Sequence, residues 1–355
     1  MHPRGDFLRH YLAPLAAGAG YAFLAANSRT LGNDADALHE RLCLDVGGAL
    51  AWLRERGFAR VVLVGNSGGG SLFALYLQQA ALAPEARLAA APSGDRVPLA
   101  RFELPGADGL VLLAAHLGEG RFLLERLDPS VVDESHPTAA DPRLDMYDPS
   151  NGYRPLDEGP SRYAPDFLAA FRAAQRARCE RLDAQALAWC EEAAWFRARL
   201  ADPALRLSEG ERQLARRHAL QRRYRVIYRT LADPRYLDPT LDPSERALGS
   251  IFSLGQDPIV GNYGEGLARV MSARGWLSTW SGLRSRADLA RTLPDVRVPT
   301  LVVHARGDQE IHPGEARAAL AALAAADKAL DEVPRADHYF RPLAGAEGDD
   351  PLARM

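Results

Sequence analysis

A chain of 355 residues with a formal net charge of −3 is long enough for one large domain, or for a core that carries an inserted layer. The small negative charge excludes a basic field that would recruit nucleic acid or an anionic membrane. The 3 cysteines are odd in number and have no C-x-x-C spacing, which disfavours disulfides and zinc and favours a reducing, cytoplasmic location.

The first apolar run, residues 11–26, follows two arginines and superficially looks like a signal peptide. A proline and two glycines interrupt it, so we expect a helix, a glycine turn and then a buried strand at Tyr21–Ala26. Because no run of about 18 uninterrupted apolar residues occurs anywhere in the chain, we predict no membrane span.

Strands and helices then alternate in the first part of the chain and again at its end. Helical spacing from Leu38 to Leu53 precedes a buried strand at Val61–Val64, a helix at Ser71–Leu77 and a strand at Leu110–Ala115. Near the C-terminus we expect a strand at Thr300–His304, a helix at Glu315–Ala326 and a last strand at Ala329–Val333. This alternation predicts an α/β fold with a mostly parallel sheet and helices on both faces.

The stretch between the two sets of strands has a different character. Pro165–Leu200 reads as one long helix or two, Glu209–Leu231 reads as another, and Asp-Pro turn signals surround both. We interpret this stretch as a helical insertion. The predicted organisation is a first core segment at 1–118, a helical cap at 119–295 and a second core segment at 296–355.

Ser67 is the candidate nucleophile, in the sequence Gly-Asn-Ser-Gly-Gly over residues 65–69. This G-x-S-x-G pattern follows a buried strand and opens a helix, which is the context that lifts a serine hydroxyl above the sheet edge. The sharp turn leaves no room for flanking side chains, hence the glycines. The N–H of Gly68 would point to where an oxyanion forms. The alternative is a glycine-rich turn that only packs closely or binds phosphate.

Asp308 and His338 supply the other two groups that a serine nucleophile needs, a base and an acid that orients the base. Asp308 lies in the loop after the strand at 300–304, and His338 lies in the loop after the last strand. Asp337 is a competing carboxylate, but adjacent side chains point apart, so we interpret it as structural. The chain order Ser, Asp, His is that of α/β-hydrolases.

These segments resemble the α/β-hydrolase family over residues 1–115 and 298–342. The family's acid commonly lies in a loop of the form H-G-x-x-D-x-x-x-P, and here residues 304–313 read HARGDQEIHP, with Ala305 in place of the glycine and the proline one position later. The resemblance implies hydrolysis through an acyl-enzyme, with no cofactor and no metal.

The sequence His-Pro-Arg-Gly-Asp at residues 2–6 resembles the family's oxyanion loop, which normally begins with His-Gly. Pro3 has no N–H, so the resemblance implies the amide of Arg4 as the second oxyanion donor. A plain polar N-terminus is the alternative interpretation. In the family a strand precedes this loop and lies inside the sheet, between the strands at 21–26 and 61–64. We therefore expect N-terminal strands to be missing from this chain.

The substrate pocket is expected to be lined by Asn66 beside the nucleophile, His116 after the strand at 110–115, and Trp276 and Trp280 in the insertion. Carboxylic esters are the default substrate class. The Gly-Asn-Ser elbow also resembles serine-dependent C–C bond hydrolases of aromatic ring-cleavage pathways, and thioesters and amides stay open.

A non-enzymatic ligand-binding member of the fold is the hypothesis from another class. The complete set of Ser67, Asp308 and His338 argues against it, because a binding protein does not need all three. The expected partner is a small-molecule substrate, with no nucleic acid and no membrane, and a homodimer stays open.

Overall fold

The computed structural model of the chain describes residues 1–251, 257–346, 348 and 350–354. In chain order the helices are α1 (Leu12–Gly18), α2 (His39–Glu55), α3 (Gly68–Ala81), α4 (Glu119–Leu124), α5 (Pro165–Ala201), α6 (Glu209–Leu220), α7 (Pro258–Gly264), α8 (Ala273–Gly275), α9 (Leu289–Thr292) and α10 (Pro313–Ala322). The strands are β1 (Val62–Asn66), β2 (Gly109–Leu113), β3 (Tyr224–Val226), β4 (Val270–Ser272), β5 (Thr300–Ala305) and β6 (Lys328–Val333). A π-helical turn at Trp276–Trp280 follows α8.

The central sheet is parallel and has the strand order β1–β2–β5–β6. Its register places Asn66 beside Leu113 and Leu113 beside Val303, so the carboxyl ends of three strands lie at one edge. Ligands of open parallel sheets bind outside this edge, in the loops that follow the strands. The predicted α/β class with a mostly parallel sheet is confirmed.

The two faces of the sheet are covered differently. On one face the main core forms from strand residues such as Leu110 and Leu112, together with buried side chains of α2, α3, α9 and α10. On the other face Val303 and Phe340 pack with Leu12 of α1, and the cover is thinner. On this second face Val62 and Leu301 therefore stay 54% and 38% exposed to solvent.

Helix α2 forms and ends as its sequence predicts. Leu42, Val46 and Leu50 recur every four residues, so they share one face, and all three are buried. The helix ends at Glu55, and Gly57 follows with φ of +83°, a left-handed conformation that glycine adopts without strain.

The strand predicted at Tyr21–Ala26 is wrong. These residues have no regular secondary structure, and Tyr21 is 73% exposed. The physical reason is the absence of a ladder: the segment pairs with no described strand, and the outer side of β1 stays without a described neighbour.

The insertion is mainly helical, and its longest element is the single helix α5 of 37 residues. Helix α6 starts with a capping box between Ser208 and Glu211 and ends at Leu220. The helix predicted over 209–231 is therefore too long. After α6, Tyr224–Val226 forms β3, which pairs antiparallel with β4. This pairing satisfies the backbone groups that a longer helix would have satisfied internally.

The insertion is attached to the start of α2 by polar contacts. Ser278 donates to a carboxylate oxygen of Glu40 at 2.6 Å and accepts the backbone N–H of His39 at 2.9 Å. Leu289 and Leu293 already pack in the main core, so core packing resumes before the predicted boundary at 295. The domain boundaries themselves stay a prediction. Within the described residues, no helix combines the length and the apolar character that crossing a membrane requires.

Candidate active site

Ser67 occupies a strained turn between β1 and α3. Its φ of 52° and ψ of −123° lie in a region that residues other than glycine rarely adopt. The N–H of Ser67 donates to the carbonyl of Leu113 at 3.0 Å, which holds the turn against the neighbouring strand. The side chain is half-buried. These features are those of a nucleophile elbow at the carboxyl edge of the sheet.

The glycines around Ser67 are required by close backbone packing. A Cβ at Gly65 would lie 2.6 Å from Cα of Gly70, and a Cβ at Gly70 would lie 2.6 Å from Cβ of Ala115. A Cβ at Gly68 would collide with the carboxylate of Glu119. Gly68 begins α3, so its N–H belongs to the unsatisfied first turn of a helix. This amide is suited to binding a developing negative charge.

His338 and Asp308 form a buried pair, with Nδ1 of His338 2.8 Å from Oδ2 of Asp308. Each residue is only 1% exposed. The other oxygen of Asp308 accepts the backbone N–H groups of Glu310 at 2.8 Å and Ile311 at 3.0 Å. These bonds fix the carboxylate, which in turn orients the imidazole.

Asp337 is used differently, as predicted. Its Oδ1 accepts the backbone N–H groups of Tyr339 and Arg341, both at 2.9 Å, and its Oδ2 accepts Nε of Arg341 at 2.7 Å. The carboxylate therefore organises the turn that follows His338, and its hydrogen bonds do not involve the imidazole.

A second carboxylate, not identified from the sequence, faces His338. Oε2 of Glu310 lies 3.6 Å from Nε2 of His338, on the side of the ring opposite Asp308. Burial alone would lower the pKa of His338, but the carboxylates of Asp308 and Glu310 outweigh it and raise the pKa to about 9. Burial also raises the pKa of Glu310, while the charge of His338 opposes that shift.

The N-terminal loop lies against the elbow. Nδ1 of His2 accepts the backbone N–H groups of Arg4 at 3.1 Å and Gly5 at 2.8 Å. The amide of Arg4 is therefore occupied, which differs from the expectation of a free oxyanion donor. Pro3 has no N–H that could serve in its place. Burial, followed by the charge of Arg4, lowers the pKa of His2 well below its usual value.

Glu119 joins this loop to the loop after β2, and sequence reasoning missed it. It is fully buried, with Oε1 3.4 Å from Nε of Arg4 and 3.9 Å from Nε2 of His2. Its Oε2 lies 3.6 Å from Nε2 of His116. The sequence around Glu119 carries no motif, and only the fold brings these groups together.

His116 follows β2 and faces Glu119 rather than open solvent. Its Nδ1 accepts the N–H of Gly118 at 3.1 Å, which places the ring proton on Nε2. The residue is 3% exposed, and burial, followed by the charge of Arg4, lowers its pKa well below the usual value. His116 is thus a neutral, hydrogen-bonded group beside the site.

Asn66 is 2% exposed and is held by the protein itself. Its Nδ2 donates to the carbonyl of Leu113 at 3.0 Å, and its Oδ1 lies 3.3 Å from Nε2 of His10. Both ends of the amide are engaged below the nucleophile, so Asn66 supports the elbow, and its predicted role in lining the pocket is not supported by these contacts.

The two tryptophans have different surroundings. Trp276 is completely buried in the insertion, and its Nε1 donates to Oδ1 of Asp183 at 2.7 Å. These contacts belong to the core of the insertion, and its place in the pocket lining stays a prediction. Trp280 is 1% exposed and lies 5.3 Å below the guanidinium of Arg4. Trp280 is therefore the tryptophan that contacts the N-terminal loop of the site.

The predicted residues thus converge at one edge of the sheet. Ser67 follows β1, His116 follows β2, Asp308 follows β5 and His338 follows β6. This sequence of strand, serine turn and helix, with the acid and histidine loops after later strands, is the element order of an α/β-hydrolase core. Among the residues that the structure describes, no group of three or more His, Cys, Asp and Glu side chains is placed to hold a metal ion.

Neither a family model nor a curated protein matches the chain. A solved structure described as LipS and LipT, two metagenome-derived lipolytic enzymes, is similar at 15% identity and a TM-score of 0.38, covering 93% of this chain and 78% of that one. The monoacylglycerol lipase of Paleococcus ferrophilus is similar at 14% identity and a TM-score of 0.39, covering 95% and 83% of the two chains. The proline iminopeptidase of Mycobacterium smegmatis is similar at 14% identity and a TM-score of 0.33, covering 95% and 81%. At these scores the similarities carry no argument about activity.

Proposed function

We propose that this protein is a serine hydrolase that cleaves a carboxylic ester or a related acyl bond through an acyl-enzyme. The observation that carries the proposal is the pairing of a strained Ser67 elbow with the buried His338–Asp308 pair at the same edge of one sheet. A serine in such a conformation costs on the order of 1–3 kcal/mol, and such strain clusters at functional sites.

In the proposed reaction Ser67 attacks the substrate carbonyl, and the hydroxyl proton passes to Nε2 of His338. Asp308 holds Nδ1 of the ring and stabilises the cation that forms. The imidazolium returns the proton to the leaving alcohol, which departs and leaves Ser67 acylated. Water then attacks the acyl group with His338 again as base, and the carboxylic acid and free serine are regenerated.

The amide of Gly68 is the proposed first oxyanion donor, since it opens α3 directly after the nucleophile. The N-terminal loop is proposed to give the second donor. For the Arg4 amide to serve, it must exchange its bond to Nδ1 of His2 for the oxyanion. Each such donor lowers the barrier by about 3 kcal/mol in acyl transfer.

A small-molecule ester is the substrate class that we propose. The C–C bond hydrolase alternative was motivated by the Gly-Asn-Ser elbow, and Asn66 makes its hydrogen bonds to His10 and Leu113 below that elbow. The contacts of Asn66 therefore do not favour that alternative over an ester.

The test is covalent labelling with a fluorophosphonate probe, followed by mass spectrometry of the labelled peptide. Modification of Ser67 in the wild-type protein and its loss in Ser67→Ala are expected. A panel of esters of several chain lengths, a vinylogous diketo acid, a thioester and an amide then identifies the bond. If Ser67 stays unlabelled in a folded protein, the proposal fails and a ligand-binding role takes its place.

A further inference from the structure

The imidazole of His338 lies between two buried carboxylates, one at each ring nitrogen. Asp308 is 2.8 Å from Nδ1, and Glu310 is 3.6 Å from Nε2. A serine hydrolase needs only the first of these contacts, because the acid orients the ring through Nδ1. The second carboxylate faces the nitrogen that must accept the serine proton, so its position requires a separate explanation.

Two hydrogen bonds of its backbone hold Glu310 in place. Its N–H donates to Oδ1 of Asp308 at 2.8 Å, and its carbonyl accepts an N–H of Arg126 at 2.6 Å. The residue is 8% exposed, so water screens its charge weakly. The loop that supplies the acid of the triad therefore also presents Glu310 to Nε2.

An imidazole with an acceptor at each nitrogen is favoured as the cation, in which both nitrogens carry protons. The cation cannot take a proton from Ser67, so it must first release the Nε2 proton to solvent. Burial of the ring opposes protonation. The charges of Arg4 and Arg126 favour the ionised form of Glu310, and that form supports the cation. The charged and titratable groups around the pair are Asp308, Asp337, Tyr339, His116, Arg4 and Arg126.

We propose that Glu310 is a positioning residue that holds His338 in its protonated form and thereby sets the lowest pH at which Ser67 is activated. This inference rests on the proposed serine hydrolase function. In this role Glu310 faces Nε2 of His338 but exchanges no proton with the substrate. It acts on Ser67 only through the protonation state of the imidazole.

The first experiment measures the imidazole directly, by an NMR pH titration of His338 in the wild-type protein, Glu310→Gln and Glu310→Asp. Glutamine keeps the size and the backbone contacts but removes the charge, so the midpoint should fall by about 1 pH unit or more. Glu310→Asp should stay closer to wild type. Glu40→Gln is the matched control, because Glu40 is also buried but its carboxylate accepts from Ser278.

A midpoint that moves by less than about 0.3 unit in Glu310→Gln overturns the proposal, as does a wild-type midpoint at or below about 7. The second criterion needs no variant, so it applies even if Glu310→Gln does not fold.

The second experiment measures the rate of phosphonylation of Ser67 as a function of pH. The rate in Glu310→Gln should be about tenfold higher near pH 7 for each unit by which the midpoint falls, and should approach the wild-type rate at alkaline pH. If the phosphonylation rate of Glu310→Gln is lower by the same factor at every pH, and the titration midpoint of His338 does not move, the inference is contradicted. If Ser67 is unreactive at all pH values while the NMR midpoint shifts, the proposed function fails and the contact between Glu310 and His338 stands.

Discussion

Arg126, which lies in the insertion, donates from its guanidinium to the backbone carbonyl of Glu310 at 2.6 Å. The same side chain donates to the hydroxyl of Tyr236 at 2.8 Å and to the carbonyl of Phe122 at 3.0 Å, and it is completely buried. A buried side chain of the insertion therefore holds the loop that carries Asp308.

Replacement of Arg126 should impair both stability and activity. Arg126→Met removes three buried hydrogen bonds, and a buried acceptor that is left unsatisfied costs about 1–3 kcal/mol. We expect the free energy of unfolding in urea to fall by about 3 kcal/mol or more, with a parallel loss of turnover. Arg143→Met is the control, because Arg143 is exposed and pairs with the nearby Asp141, so both the unfolding free energy and the turnover should stay unchanged. Full activity in a stable Arg126→Met would contradict the coupling.

Substitution of the proposed triad should abolish turnover without unfolding the protein. Asp308→Asn keeps an oxygen for the N–H groups of Glu310 and Ile311 but favours the wrong imidazole tautomer, so kcat should fall about 10⁴-fold. Asp337→Asn is the comparison, because Asp337 bonds to its own turn. Thermal melting checks the fold of each variant. If Asp337→Asn lost more activity than Asp308→Asn, the assignment of Asp308 as the acid of the triad would be wrong, and Asp337 would take that role.

The glycines of the elbow should be needed for stability rather than for chemistry. In Gly65→Ala the new methyl group collides with the backbone of Gly70. Backbone atoms inside a helix cannot shift aside as the tip of a flexible side chain could. We expect a loss of about 3 kcal/mol in unfolding free energy, at the upper end of overpacking costs. Gly48→Ala on α2 has open space around the new methyl group and should stabilise the protein by about 1 kcal/mol. Chemical denaturation of both variants gives the comparison.

Stability should decrease as the pH rises through the titration of His338. Its folded pKa of about 9 exceeds the ordinary value of 6.5, so its contribution is complete below pH 6.5 and is lost as the pH approaches and passes 9. The unfolding free energy of the wild type should therefore fall more between pH 6.5 and 9 than that of His338→Gln. Equal pH dependence in the two proteins would show that the imidazole is not stabilised as a cation.

Substitutions of the two tryptophans in the π-helical turn should have different effects, one on stability and the other on substrate specificity. Trp276→Phe removes the donor to buried Asp183 and should cost about 1–3 kcal/mol, with substrate preference unchanged. Trp280→Phe alters the ring beside Arg4, so it should change KM or chain-length preference more than the reaction of Ser67 with a small probe. Denaturation curves and an ester series distinguish the two variants. Identical ester profiles for wild type and Trp280→Phe would mean that Trp280 only packs.

The parts of the site that the sequence predicts are those set by local geometry and chain order. The glycines around Ser67 indicate the elbow because a strand-to-helix turn excludes side chains there. Asp308 and His338 could be assigned because each follows a strand of one parallel sheet, and their pairing is observed. Glu119 and Glu310 could not be assigned, since their roles depend on distances between loops that no spacing pattern encodes.

Two departures from the local sequence pattern share a physical cause. Tyr21–Ala26 has the apolar composition of a buried strand, but a strand also needs neighbours for its backbone, and none is present among the described residues. Trp276 is aromatic and lies in the insertion, yet the buried acceptor Asp183 turns it inward. In both cases a long-range partner, or its absence, overrides the local signal.

The position of β1 has a consequence for local fluctuations. The proposed nucleophile directly follows β1, which among the described strands is hydrogen-bonded to β2 alone, whereas β2 and β5 each have neighbours on both sides. Opening an edge strand breaks one ladder instead of two, so its backbone amides should exchange with deuterium faster than those of the inner strands. The strand that presents Ser67 would then be less protected than β2 and β5, as would β6 at the opposite edge, and strain at the elbow could relax without melting the inner strands.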